Sequence, residues 1–217
     1  MRAVFLRGSL QYTFYSWYRM RKHLLLCLFV LLLCGSVGRA QRQYFPPGAL
    51  DSSPRSDQFL SDWYSKQLRA LDEPSLWSLS KTQNEEAYRF LWLRTFHSPV
   101  AIRIDVNADG TSQLISKMTS GAGGYDPGQL VLNSKSLLTK GQTDSFLGTI
   151  KEHQFWQLAT KREPGGLDGA QWILEGVKDG KYHIVDSWSP TDGPVRAIGL
   201  LMLNKFTNLK IPKKEIY

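Results

Sequence analysis

Three histidines beyond the first forty residues, His97, His153 and His183, are the natural acid–base groups of this 217-residue chain. None stands in a His-Glu-x-x-His arrangement, and no pair has the spacing of zinc ligands. No Gly-x-Ser-x-Gly nucleophile elbow occurs. The constellation to weigh is His183 with Glu175 and Asp186, which lie on two strands joined by Asp179-Gly180. Carboxylates that are diagonal neighbours on one sheet face reach each other, and a buried pair could do acid–base work. Counting outward from the turn puts Glu175 and Asp186 on one face and His183 on the other, so the three meet only across a bulge. The bland alternative is that both acids face water or pair with Arg94, Arg103 or a lysine, as charged strand residues mostly do.

Asp105-x-Asn107-x-Asp109-Gly110 matches the first half of a calcium-binding loop. The chemistry needs a bidentate Glu at the twelfth position, and that position is Ser116. The flanks alternate as strands, so the letters read as a β-turn and no metal site is expected. Gly121, Gly123 and Gly124 would suit a phosphate cradle only with a strand before and a helix after. A second turn, Tyr125–Gly128, and a strand follow instead, so a flexible loop is expected. Both cysteines, Cys27 and Cys34, fall in the first forty residues. The rest of the chain therefore offers no thiolate and no disulfide, and no cofactor is expected. Six tryptophans lie beyond residue 40, mostly on apolar stripes that suit a core. Trp188, beside Ser189-Pro190, is the one expected in the open; with Tyr182 it forms the candidate binding pair.

The elements that must position these groups are legible in outline. Residues 41–57, with Pro46-Pro47-Gly48 and Ser52-Ser53-Pro54, read as a polar tether. Leu60, Trp63, Tyr64, Leu68 and Leu71 recur at helical spacing, with Pro74 just past the end. Tyr88–Thr95 and Val100–Val106 alternate as strands, Thr111–Met118 and Leu130–Leu138 follow, and Thr139-x-x-Gln142 opens a capped helix with Phe146, Leu147 and Ile150 inward. The Asp179-Gly180 turn fixes a hairpin register, Lys178 facing Lys181 and Ile173 facing Asp186. Asp192 and Pro194 start a last helix, with Val195, Ile198, Leu201, Met202, Phe206 and Leu209 buried. This order predicts an α+β fold: one antiparallel sheet of hairpin-connected strands with helices packed on one face, over 58–217.

The leading forty residues carry a different message. Six basic residues and no acid lie there, so of the net charge of +8 only +2 belongs to 41–217. The high pI is thus a property of the leader, and nucleic-acid binding loses its support. Arg21-Lys22-His23, an apolar run and the small residues Gly38 and Ala40 before Gln41 have the form of a secretory signal. The run from Leu24 to Val37 makes a helix of about 21 Å, short of the roughly 30 Å hydrocarbon core. Cleavage leaving no membrane span is expected, with an inner-membrane signal anchor as the alternative. Translation from Met20 would give a compact signal of the usual form, making 1–19 an over-called start.

Tyr88–Arg103, Gly166–Gly176, Gly180–His183 and Trp188-Ser-Pro190 resemble a group of exported bacterial proteins without an assigned function. The resemblance spans most of 85–205 and implies a bacterial source and a single exported domain; it carries no catalytic residues. Three readings follow. In the first, the chain is a non-catalytic binding or interaction domain of the bacterial envelope, periplasmic or secreted, with a protein or glycan partner. In the second, it is a hydrolase with His97, His183, Glu175 or Asp186 as acid–base groups, which requires at least two of them in one concave pocket. In the third, it is a glycan-binding module that uses exposed aromatic rings.

Overall fold

The computed structural model describes residues 43–82, 85–160, 166–207 and 209–217. Six strands form one sheet: β1 (Glu86–Arg94), β2 (Val100–Val106), β3 (Ser112–Thr119), β4 (Leu130–Leu138), β5 (Ala170–Lys178) and β6 (Lys181–Trp188). Their order is β4-β3-β2-β1-β5-β6, and every pairing is antiparallel. The chain therefore lays down four strands by successive hairpins, then adds the β5–β6 hairpin on the far side of β1. At that hairpin Lys178 faces Lys181 and Ile173 faces Asp186, the register expected from the turn. Asp179 and Gly180 both have positive φ, 49° and 74°, which the two-residue turn demands.

Side chains alternate across the sheet, and both faces are covered. Tyr88, Phe90, Trp92, Ile102, Ile104, Trp172, Leu174 and Val185 share one core with α3 (Lys140–Glu152) and α4 (Gly193–Leu201). Leu91, Leu93, Ala101, Ile173 and Ile184 share a second core with α1 (Pro54–Ala70). The α+β class with hairpin-connected antiparallel strands is as expected, but the helices do not keep to one face. The cause is visible in β1 and β5, whose residues are buried on both sides and need two covers. A short helix, α2 (Leu76–Leu79), connects α1 to the sheet.

The capping box of α3 is formed, Thr139 accepting from the Gln142 amide and the Gln142 side chain accepting from the Thr139 amide. Phe146 and Ile150 are buried beneath it. The last helix gives way at Met202–Phe206 to a π-helical turn, with Met202 and Leu203 both buried.

Two further expectations are overturned. The tether expected over 41–57 is a packed segment from 43 onward: Tyr44, Phe45 and Leu50 are buried against α1. Asp57 ties it down, its carboxylate accepting from the amides of Gly48, Leu50 and Asp51. Each buried apolar side chain of this size contributes about 1.5–3 kcal/mol, enough to hold a segment whose composition is that of a linker. The glycine-rich loop is likewise packed. Gly123 and Gly124 donate to the carbonyls of His97 and Thr95. A Cβ on Gly123 would stand 2.7 Å from Leu93 Cα. These glycines allow close backbone approach rather than flexibility. Gln43–Tyr217 is one compact unit; the leader expected over 1–40, including the start at Met20, lies outside the described residues. Among the described residues no helix is long and apolar enough to cross a membrane.

Candidate functional site

The residues proposed for acid–base chemistry are dispersed. Glu175 lies under α2, fully buried, where Arg89 of β1 donates to its Oε2 from Nε at 2.8 Å and from Nη2 at 2.5 Å. Tyr182 donates to Oε1 at 2.9 Å, so both oxygens are engaged. Arg89 also donates to the Pro74 carbonyl and reaches Glu73. Glu73 in turn accepts from Arg103 Nε at 2.9 Å and pairs with Lys117 at 3.1 Å, and Arg103 pairs with Asp105. Three cations and three anions thus form a neutral network on the α1 face. Burial alone would lower the Arg89 pKa, but Glu175 and Glu73 overcome it and hold the guanidinium charged. Burial raises the Tyr182 and Asp105 pKa values. With both carboxylate oxygens of Glu175 held by fixed donors, the network's chemistry is that of a pin joining the α1–α2 connection to the sheet.

Asp186 shares that face, as its position in the hairpin requires, yet meets a different partner. Tyr64 of α1 donates to its Oδ2 at 2.7 Å. Glu175 neither faces water nor pairs with Arg94, Arg103 or a lysine, and Asp186 is buried, because α1 and the 72–75 connection cover the face that composition alone would leave wet. Arg94 instead pairs with Glu215 at 3.1 Å and stacks over Trp92.

His183 lies on the other side of the sheet, edge-on to Phe155 at 5.1 Å between centroids and tilted against Trp156. Burial lowers its pKa below 6.5, opposed in part by backbone hydrogen bonds at Leu158 and Phe155. It borders a recess of about 590 Å³ lined also by Trp156, Gln157, Lys181 and Tyr182. Neither Glu175 nor Asp186 lines it. His97 occupies the β1–β2 turn, its Nδ1 2.9 Å from the Tyr217 hydroxyl and its Nε2 3.7 Å from Glu215. Neither described recess is lined by two of His97, His183, Glu175 and Asp186, and the two acids share a face while bonded to separate partners.

The calcium-like letters form the β2–β3 turn. Asp109 Oδ1 accepts from the Thr111 amide and hydroxyl, while Asp105 points into the ionic network. Among the described residues no three His, Cys, Asp or Glu side chains gather to hold a metal. Trp188, expected in the open, is half-buried, its indole lying against Gly166 and Gly169. Tyr182 is committed to Glu175.

A different cluster offers the more accessible surface. Phe59 and Tyr125, 66% and 62% exposed, flank a concavity of about 460 Å³ with Trp63, Asp62, Lys66 and Gly124. Phe96, 58% exposed, packs on Tyr125. The Trp63 indole and the Gln67 amide both donate to the Gly123 carbonyl, and Lys66 pairs with Asp126 at 3.2 Å. The glycine-rich loop thereby brings Tyr125 beside a helix some sixty residues earlier. Helical spacing places Trp63 on a core stripe and the glycines of 121–124 suggest a flexible loop, so this juxtaposition has no sequence signal beyond the aromatic residues themselves.

No protein-family model matches the chain, and no curated protein matches it at a significant level.

Proposed function

We propose that this chain is an exported protein of the bacterial envelope whose domain works by binding a glycan rather than by catalysis. The observation that carries this reading is the aromatic recess between α1 and the glycine-rich loop. Phe59, Trp63 and Tyr125 offer ring faces for the apolar side of a sugar, and Asp62 and Lys66 offer hydrogen-bonding groups at the rim. Pockets of this kind bind through apolar walls with a few polar groups that fix orientation. The dispersal of His97, His183, Glu175 and Asp186 favours binding over hydrolysis. Export rests on the basic stub, short apolar run and small residues before Gln41, and on the resemblance of 85–205 to exported bacterial proteins.

The test is a glycan array probed with the native chain and with a Phe59→Ala/Tyr125→Ala double variant, followed by titration of the hits by tryptophan fluorescence. We expect at least one envelope glycan to bind and the variant to lose about tenfold or more in affinity, the cost of removing central aromatic contacts. An array without hits, or hits equally strong in the variant, ends the reading. N-terminal sequencing of the exported product checks the other half: it should begin at or next to Gln41.

A further inference from the structure

The six large apolar side chains most exposed in the described residues are Phe59, Phe96, Tyr125, Val131, Leu137 and Leu167. Phe59 and Tyr125 line the recess, and Phe96 packs on Tyr125. Val131 and Leu137 both lie on β4, which ends the sheet. The two sheet edges are treated differently. At β6 the Asp186 amide donates to the Thr160 carbonyl, so Thr160 meets that edge. Among the described residues β4 pairs with β3 alone, and residues 133–137 are all exposed. A row of unpaired backbone donors and acceptors is a template for a further strand.

We propose that β4 pairs antiparallel with β4 of a second copy of this chain, with the two-fold axis at Ser134. The sequence of the strand selects both occupant and register. In a two-fold pairing that continues the sheet, centring on Ser134 sets Lys135 opposite Asn133 of the other copy and Leu132 opposite Ser136. It also brings Leu137 of each copy beside Val131 of the other, covering both exposed apolar side chains twice over. Centring on Lys135 opposes two like charges, which destabilises a cross-strand pair, and leaves Leu137 facing Asn133. Centring on Asn133 puts Lys135 against Val131. The register shift at Met118/Thr119 leaves Val131 unpaired with β3. This bulge ends the regular strand and limits the contact to a short, self-complementary patch. The area of one strand is small against that of a permanent dimer, so the association is a concentration-dependent one.

The experiment uses the full chain with Cys27→Ser and Cys34→Ser, which removes both native thiols. Ser134→Cys then places two thiols at the axis, within disulfide reach of one another. Val131→Cys places them about 20 Å apart along the paired strands. Under mild oxidation we expect Ser134→Cys to link into a covalent dimer at least tenfold faster than Val131→Cys. The Val131→Cys/Leu137→Cys double variant should also link. Sedimentation of the cysteine-free chain should show mass doubling between about 10 μM and 1 mM, lost in Leu137→Lys. Linking of Ser134→Cys no faster than that of Val131→Cys overturns the register. A chain that stays monomeric across that range, with Lys135 and the bulge then acting as guards of a free edge, overturns the proposal.

Discussion

Arg89 is the residue on which the α1 face turns. It is fully buried, and Glu175, Glu73 and the Pro74 carbonyl account for its bonds. Removing one member of a buried ionic group leaves the others uncompensated, at a cost of about 3–5 kcal/mol. Arg89→Ala should therefore lower the unfolding free energy by that amount in urea titrations, and Arg89→Lys by less, since an ammonium keeps the charge but cannot reproduce the forked contact. A loss below about 1 kcal/mol, the range of an exposed ion pair, would mean the network is solvated. His183 makes the complementary case. Its folded pKa lies below its unfolded value, so the unfolded chain takes up the proton first. Stability from this group is full above about pH 6.5 and falls as the pH is lowered. Urea midpoints should drop toward pH 5 in the native chain, and less steeply in His183→Phe, which keeps a ring against Phe155. Equal slopes in the two chains would assign the pH dependence elsewhere.

At the scale of elements, local chemistry fixed some features and packing fixed others. The Asp179-Gly180 hairpin, the Thr139–Gln142 cap and the helix before Pro74 were legible because each is decided within a few residues by turn geometry, capping bonds or periodicity. The glycine-rich loop was not. Its conformation depends on Leu93, Thr95 and His97 beneath it and on Trp63 beside it, and nothing within 120–128 encodes those partners. Two substitutions separate the roles of glycine. Gly123→Ala forces a Cβ to 2.7 Å from Leu93 Cα and should destabilise by about 1–3 kcal/mol, as overpacking does, with a red shift in Trp63 emission as the loop lifts. Gly148 sits within α3, and a Cβ there would meet nothing within 4 Å. Gly148→Ala should stabilise by about 0.5–1 kcal/mol, the ordinary gain within a helix. Equal effects at the two positions in thermal melts would refute the packed-loop account.

For the whole molecule, the sequence by itself determined the α+β class, the hairpin succession, the facing of Glu175 and Asp186 away from His183, and the near-neutrality of residues 41–217. Periodicity, turn residues and charge counts are local quantities, so one chain suffices to read them. Tertiary structure alone decided that 43–53 are packed, that helices cover both faces, that Glu175 is held by Arg89, and that Phe59, Trp63 and Tyr125 meet at one recess. Those outcomes depend on which distant segment covers which surface. A charged residue on a strand looks the same in sequence whether a helix later closes over it or water does, because burial is a property of the assembled layers and not of the strand.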